Sequence, residues 1–464
     1  MHTWMADTGP DYYCPPHLRT ATIGVDPSGI TDTTFTRFCN ELGEWLFRIA
    51  GQAETSTILA EQKLQTQVRS IRITLPPTDR LLRRFLNGDR ASTVRQRVGD
   101  LTCVLDSVAE RISCHLREAF ECSLQRSSLH RRLYSHQRPE KDFFIGGLGI
   151  DLRYGPTPFS IALMEALTTA LGRTKRLFAF ASLGEGPDSL AWEAVELIAT
   201  QVKAMGTAGA KFAAGINLKP NTPFFPASFH RGGQPVLTVG MSGAGYLTKK
   251  VLSLRNKTRA SIERAIADAE CRSIWQSTLM GTSIASAITG CSFLGVDPSQ
   301  APEFRADHPG SNSIGALIET LSGVEVGCPG TKDAFGTIMA GLKTGAAESG
   351  MPLVGFGGEF LPVCEDDILA LRASQKHLTI TTLMDLTSIC SAGIDMCILD
   401  RKTQTGQVAH IINDVVQSAR HKQAPLAARL IIPEPTASFD AKGFCQLGGL
   451  LGSGPEMQVN GETL

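Results

Sequence analysis

Two rhythms of apolar and polar positions run along the chain. Phe35, Phe38, Leu42, Leu46 and Ile49 recur at helical spacing and predict a helix over 31–50, with Thr31 or Asp32 as N-cap. Residues 68–75 alternate as a strand and stop at Pro76-Pro77. Short apolar runs predict further strands at 19–25, 143–149, 176–182, 211–217, 236–240, 351–356, 393–399 and 426–433. Helical spacing covers 159–171, 189–205, 258–289, 314–321, 332–344, 365–374 and 404–420. From Asp142 onward strands and helices alternate, which argues for an α/β fold with parallel pairing. Residues 1–17 read as a loose arm and 458–464 as a loose tail, with fraying from Gly452, leaving 18–457 as one domain.

Five strand-like runs end on a shared pattern, glycine, a β-branched residue, then Asp or Asn. They are Gly24-Val25-Asp26, Gly149-Ile150-Asp151, Gly215-Ile216-Asn217, Gly295-Val296-Asp297 and Gly393-Ile394-Asp395. The pattern predicts that Asp26, Asp151, Asn217, Asp297 and Asp395 gather at one rim, where α/β folds bind ligands. Oxygen ligands there, Asp151 and Asp395 first among them, would suit Mg²⁺ or Ca²⁺. The competing role for each is to cap the following turn.

Composition sets the class. Hydrophobic residues make up 42% and charged residues 19%, with 45 basic against 45 acidic side chains. That balance is ordinary for a globular protein and gives no global case for nucleic acid or membrane binding. No apolar run approaches the roughly 18 residues of a membrane span. The twelve cysteines are scattered without a CxxC pair. With no signal-like start, they read as reduced thiols of a cytoplasmic protein. Charge is skewed in one region only. From Arg69 to Arg138 there are 14 Arg, no Lys and 7 acidic residues, in a helical segment over 78–138. Such a face could bind phosphates or RNA, but interleaved signs and few aromatics favour a solvated helical hairpin with intrahelical ion pairs.

Candidate chemistry sits in four further places. His230-Arg231-Gly232-Gly233 offers a proton carrier, an anion clamp and backbone that can approach a ligand closely. Gly357-Gly358-Glu359 ends in a carboxylate whose burial would tune it for acid–base work, while Glu365 and Asp366 read as the start of a helix. Thr331-Lys332 opens a helix whose N-terminus could hold an anion. Cys390 is a candidate nucleophile, although a free Cys is usually a small core residue.

Several ordered segments resemble one family. They are RTATIGVDP, DFFIGGLGID, GINLKPNTPFFPASFHRGGQPVLTVG, PGTKDAFGTIMAGL, GFGGEFLPVCEDD, SICSAGIDM and FCQLGGLLGSGPEM, from about Arg19 to about Met457. They are similar to a family of uncharacterised proteins, domain of unknown function 711, also called the PFL family. The resemblance implies a pyruvate formate-lyase-like ten-stranded α/β barrel, here carrying an inserted arginine-rich helical segment. It does not carry the radical chemistry over, because residues 447–454 lack the Arg-Val-x-Gly-aromatic box, so no glycyl radical is expected. The chain also has Asp400-Arg401-Lys402-Thr403 where the family has Pro-Gly-Asp-Thr. Family members often lie beside small ACT-domain proteins, which implies amino-acid-related metabolism.

These readings converge on a non-radical enzyme of lyase or transferase type. It would act by acid–base chemistry on a small anionic, amino-acid-derived metabolite at the mouth of the barrel. Glu359 or His230 would move the proton, with Asp395 and Cys390 as further catalytic candidates. Arg231 and Lys332 would hold the anion, and Asp151, Asn217, Gly232, Gly233, Gly357, Gly358 and Thr331 would complete the binding set. A metabolite sensor or scaffold without catalysis, and RNA binding through the arginine-rich helices, are the rival readings. A homo-oligomer is left open.

Overall fold

Eleven strands and twelve helices follow one another in the computed structural model, which describes residues 16–31, 34–86, 90–126, 141–184, 191–305, 308–448 and 451–459. The strands are β1 (His17–Gly24), β2 (Val68–Thr74), β3 (Asp142–Asp151), β4 (Leu177–Ser182), β5 (Phe212–Ile216), β6 (Val236–Ser242), β7 (Ser292–Gln300), β8 (Gly393–Ile398), β9 (Leu426–Ile431), β10 (Phe444–Gln446) and β11 (Ser453–Pro455). The helices are α1 (Phe35–Leu64), α2 (Thr78–Leu82), α3 (Ala91–Arg126), α4 (Pro158–Arg173), α5 (Trp192–Met205), α6 (Ala244–Leu252), α7 (Arg259–Ser286), α8 (Ile314–Ser322), α9 (Thr331–Ser349), α10 (Asp367–Ser374), α11 (Ile380–Leu386) and α12 (Thr405–Lys422).

The fold is mixed α/β around one nine-stranded, mostly parallel sheet in the order β7-β6-β1-β2-β3-β4-β5-β9-β8. Strands β1 to β5 run parallel, as βαβ crossovers dictate. The β6–β7 and β8–β9 pairs are each parallel, but β6 meets β1 and β9 meets β5 antiparallel. The sheet therefore holds a five-stranded unit flanked by four strands of opposite direction. Each outer edge takes one isolated parallel bridge from a single loop: Leu353 on Val296 of β7, and Pro362 on Asp395 of β8. A separate hairpin pairs β10 with β11.

Strand direction overturns the shared rim. Asp26, Asp151 and Asn217 follow or end β1, β3 and β5 and lie toward one end of the sheet. Asp297 and Asp395 sit within β7 and β8, which run the other way. A glycine–branched–Asx pattern marks a strand but carries no information about its direction.

Other boundaries moved for local reasons. Helix α1 starts after Thr34, whose hydroxyl accepts from the Arg37 amide, and not at Thr31; Asp32 lies outside the described residues. It runs on to Leu64, because Ala53, Thr57, Ala60 and Glu61 continue the buried stripe with small and polar residues. The arginine-rich helix α3 lies in the β2-to-β3 connection and packs on α1 and α4. Residues expected to be loose are partly ordered. His17 opens β1, Ser453–Pro455 forms β11, and Met457 bridges Leu399; residues 1–15 and 460–464 lie outside the described residues. The strand expected at 351–356 is reduced to the Leu353 bridge. Among the described residues no helix is long and apolar enough to cross a membrane.

Candidate functional site

Side chains alternate across a strand, so the two faces of each buried strand can be read separately. On β2, Ile71 and Ile73 share one face, and Ser70, Arg72 and Thr74 share the other. All five are buried. Burying such a polar face is unfavourable unless it has partners or a ligand. The polar face of β2 contributes to a cavity of about 70 Å³. Residues of eight strands reach it, among them Arg19 and Thr20 of β1, Arg72 of β2, Phe144 of β3, Phe178 of β4, Met241 of β6, Asp297 of β7, Asp395 of β8 and Arg429 of β9. Phe224 and Phe225, from the loop between β5 and β6, and Phe360 supply the apolar wall. Gly146 of β3 makes room for this wall, since a Cβ there would stand 2.7 Å from the Phe225 ring.

The cavity's charges form an ordered string. Glu303 accepts from His17 Nε2 at 3.0 Å and Arg69 Nε at 3.2 Å, and lies 3.5 Å from Arg19 Nη1. Arg19 Nη2 donates to Glu365 Oε2 at 2.9 Å, and Arg429 Nη2 donates to Glu365 Oε1. Arg429 Nη1 donates to the Phe225 carbonyl at 3.1 Å and lies 3.6 Å from Asp395 Oδ1. Burial alone would raise the Glu365 carboxyl, but Arg429 and Arg19 hold it below its ordinary value. Glu303 is likewise driven well down, against burial, by Arg69, His17 and Arg19.

Two groups are less fully partnered: Arg72, outside the string, and Asp395, at its end. Arg72 donates through Nε to Ser70 Oγ (3.2 Å) and through Nη1 to the Pro223 carbonyl (3.1 Å), and its guanidinium lies 5.0 Å from the Phe225 ring centre. It forms no ion pair among the described residues, and burial next to Arg19 lowers it to about 9. Its Nη2 donors are left to the cavity. Asp395 is 2% exposed, and neither carboxylate oxygen accepts a hydrogen bond. Burial raises it to about 6, with Arg429 pulling down and Glu365 pushing up. Its place in the strand is irregular. The β8–β9 register shifts between Ile394 and Cys397, and Met396 takes φ 51°. Bulges of this kind re-aim a side chain, and a non-glycine residue at positive φ stores strain.

The structure distributes the sequence-derived candidates over several places. Asp395 lines the cavity. His230, Arg231, Gly232 and Gly233 gather beside Asp26, which accepts from the Gly233 amide at 3.0 Å. His230 is buried, bonds Asn221 Oδ1 through Nδ1 at 2.7 Å and keeps Nε2 without a partner; burial lowers its pKa. Arg231 is exposed, and its carbonyl accepts from Arg80. Glu359 precedes Phe360 of the cavity wall but does not line the cavity; it is fully buried and close enough to Glu270 for the two to repel. Its carboxyl is pushed well up, by burial first, and Oε2 has no partner. Gly358 donates to Ser299 Oγ at 3.3 Å, and Gly357 turns at φ 71°. Cys390 is buried with its thiol pushed up, chiefly by burial, and lies 3.6 Å from the Gly393 carbonyl.

The remaining candidates face elsewhere. Asp151 is exposed and closes a turn on Arg153, accepting from its amide at 3.0 Å and its Nε at 2.6 Å. It is not brought together with Asp395, so the proposed Asp151–Asp395 metal pair has no common site. Among the described residues no group of three or more His, Cys, Asp or Glu side chains is placed to hold a metal ion. Asn217 takes φ 55° and donates to the Ala424 carbonyl, a turn role. Thr331 accepts from the Gly327 amide at 2.9 Å, and Lys332 pairs with Asp385 at 2.7 Å on the surface. Of the pair read as a helix start, Asp366 does cap α10, whereas Glu365 turns inward to the arginines.

Arg19, Arg72 and Arg429 were not singled out by sequence, and Glu365 was read only as a helix start. Arginines three positions apart in Val68-Arg69-Ser70-Ile71-Arg72, hence on opposite faces of the strand, and a single arginine inside Leu426-Ala427-Ala428-Arg429-Leu430-Ile431, were the available signal. Each looks like a half-exposed strand until both faces are known to be buried. The arginine-rich segment holds one long helix, α3, and its ion pairs run mainly to other helices: Arg95 pairs with Glu165 of α4 and Arg111 with Glu44 of α1, while Arg117 lies 3.9 Å from Glu110 of the same helix; Arg131, Arg132 and Arg138 lie outside the described residues.

The chain is 32% identical over 311 residues to a UPF0210 protein of Pyrobaculum arsenaticum, covering 66% of this chain and 68% of that protein. It is 30% identical over 322 residues to a UPF0210 protein of Syntrophobacter fumaroxidans, covering 67% and 69%. A UPF0210 protein of Clostridium perfringens is 27% identical over 328 residues, with 68% and 70% covered. A family model described as "Uncharacterised ACR (DUF711)" matches residues 15–438, so the chain belongs to the DUF711 family of uncharacterised proteins, whose relatives here carry the name UPF0210.

Proposed function

We propose that the protein binds a small carboxylate inside a closed α/β barrel and moves a proton on it with Asp395. Closure is supported by the two parallel bridges that one loop makes to the outer strands β7 and β8, and by a cavity lined from both halves of the sheet. The observation that carries the functional reading is one cavity holding a guanidinium without a carboxylate partner and a carboxylate without a hydrogen-bond donor. Such groups are costly to bury empty and gain most from a ligand.

The roles follow from the geometry. Arg72 Nη2 would take the ligand carboxylate. Asp395, ionised above about pH 6, would accept a proton from an adjacent carbon or heteroatom. Arg429 stands close enough to steady the charge on either group. The phenylalanine wall excludes water and strengthens each interaction. A volume of about 70 Å³ has room for roughly five waters, or for a ligand of a few non-hydrogen atoms.

The test is hydrogen–deuterium exchange at carbon in D₂O, with a panel of two- to four-carbon 2-oxo and 2-hydroxy acids. The wild type should bind at least one acid and exchange a carbon-bound hydrogen, at C3 of a 2-oxo acid or at C2 of a 2-hydroxy acid. Asp395→Asn should bind it and lose exchange by about 10²–10⁴-fold. Binding without exchange by the wild type would leave a metabolite sensor, and no binding of any acid would remove both readings.

A further inference from the structure

The three arginines that reach the cavity are not equivalent. Arg19 and Arg429 each donate to one oxygen of Glu365, so both oxygens are occupied. The second Nη of Arg19 is turned toward Glu303 at 3.5 Å, and that of Arg429 is bonded to the Phe225 carbonyl. The backbone beneath Glu365 is held rigidly. The next residue, Asp366, accepts from the Ser313 hydroxyl and from the amides of Ile314, Gly315, Ile368 and Leu369. Arg72 alone among the three has no carboxylate at ion-pair distance.

The geometry points to Glu365 as the specificity-determining residue of the cavity. By occupying Arg19 and Arg429 it leaves one guanidinium, so the site takes a ligand with a single carboxylate and rejects dicarboxylates. This rests on reading the cavity as a carboxylate site. A second ligand carboxylate would enter beside Glu365 and Asp395, where Arg429 keeps only its Nε without a hydrogen-bond partner and its charge already faces both of those carboxylates, so a further buried negative charge is strongly disfavoured. Removing the Glu365 charge would release two planar forks suited to bidentate carboxylate binding.

The experiment is titration calorimetry of the full-length protein with ligand pairs of matched length, propionate against malonate and butyrate against succinate. The wild type should bind the monocarboxylate at least about 10-fold tighter than its partner. Glu365→Gln should tighten the dicarboxylate by about 10-fold or more and erase the preference, while Glu365→Asp, which keeps the charge, should retain it. Equal or tighter binding of the dicarboxylate by the wild type overturns the assignment without any variant, and so decides the matter if Glu365→Gln fails to fold. A folded Glu365→Gln with an unchanged ratio overturns it too. Should the wild type bind neither member of either pair, the carboxylate reading of the cavity falls as well, an outcome distinct from the first two.

Discussion

Asp395 shows how a single residue can work against stability. Its carboxyl is raised from the ordinary aspartate value of 3.8 to about 6 because burial and Glu365 oppose ionisation more than Arg429 favours it. A raised folded-state pKa contributes stability that is complete below the unfolded value and lost as pH rises through the folded one. Asp395→Asn should therefore match the wild type near pH 4 and exceed it by about 2–3 kcal/mol above pH 7. Thermal melts at both pH values check this, and an equal difference at both would refute it. Glu270 follows the same rule over a wider window. Burial raises it to about 8, even though Gln300 Nε2 donates to it at 2.6 Å. Glu270→Gln should flatten the fall in wild-type stability between pH 4.5 and about 8 in the same melts. At this scale the sequence was only partly legible. Asp395 stood out through its motif, but Arg72 and Arg429 looked like ordinary strand positions, since burial on both faces depends on residues hundreds of positions away.

At the scale of elements, a few buried polar side chains fasten helix ends. Asp366 caps α8 and α10 together through four amides and a hydroxyl. Asp366→Ala would uncap both helices and strand buried donors, so it should cost about 3–4 kcal/mol. Asp366→Asn should recover part of that loss, read as a shift in urea midpoint. Lysines do the opposite job. Lys211 Nζ donates to the Leu171 and Thr174 carbonyls at the end of α4, and Lys422 Nζ to the Thr387 and Cys390 carbonyls beyond α11. Burial lowers both lysines, Lys211 to about 8. The long amphipathic helices α4, α9 and α12 were legible because their apolar residues recur over several turns. Helices α6 and α11 were missed although α8, as short as α6, was legible: Gly243-Ala244-Gly245 at the start of α6 and the β-branched Ile380-Thr381-Thr382 of α11 read against a helix.

For the whole molecule, alternation of strands and helices was enough to predict an α/β fold with parallel pairs. It could not reveal that β6 and β9 turn antiparallel against β1 and β5, because the pattern of a buried strand reads the same in both directions. The loop that touches both outer strands can be tested at one hydrogen bond, from the Val354 amide to the Val296 carbonyl at 2.9 Å. Val354→Pro removes that donor. It should speed amide exchange in β7 and weaken carboxylate binding, while β2 and β3 exchange as before. Unchanged β7 exchange would count against closure through this loop. The long reach of β1 also has a consequence for biosynthesis. It carries Arg19 into the interior, yet Glu365 and Arg429 lie more than three hundred residues downstream. At roughly 5–20 residues per second a ribosome needs tens of seconds to cover that span. Between completion of β5 at Ile216 and the synthesis of Glu303 and Glu365, the β1–β5 unit has its parallel neighbours but Arg19 lacks these counter-charges. The nascent chain thus presents an arginine-bearing open sheet to its surroundings, and a chaperone that shields it until the last strands emerge would set the yield of this protein in the cell.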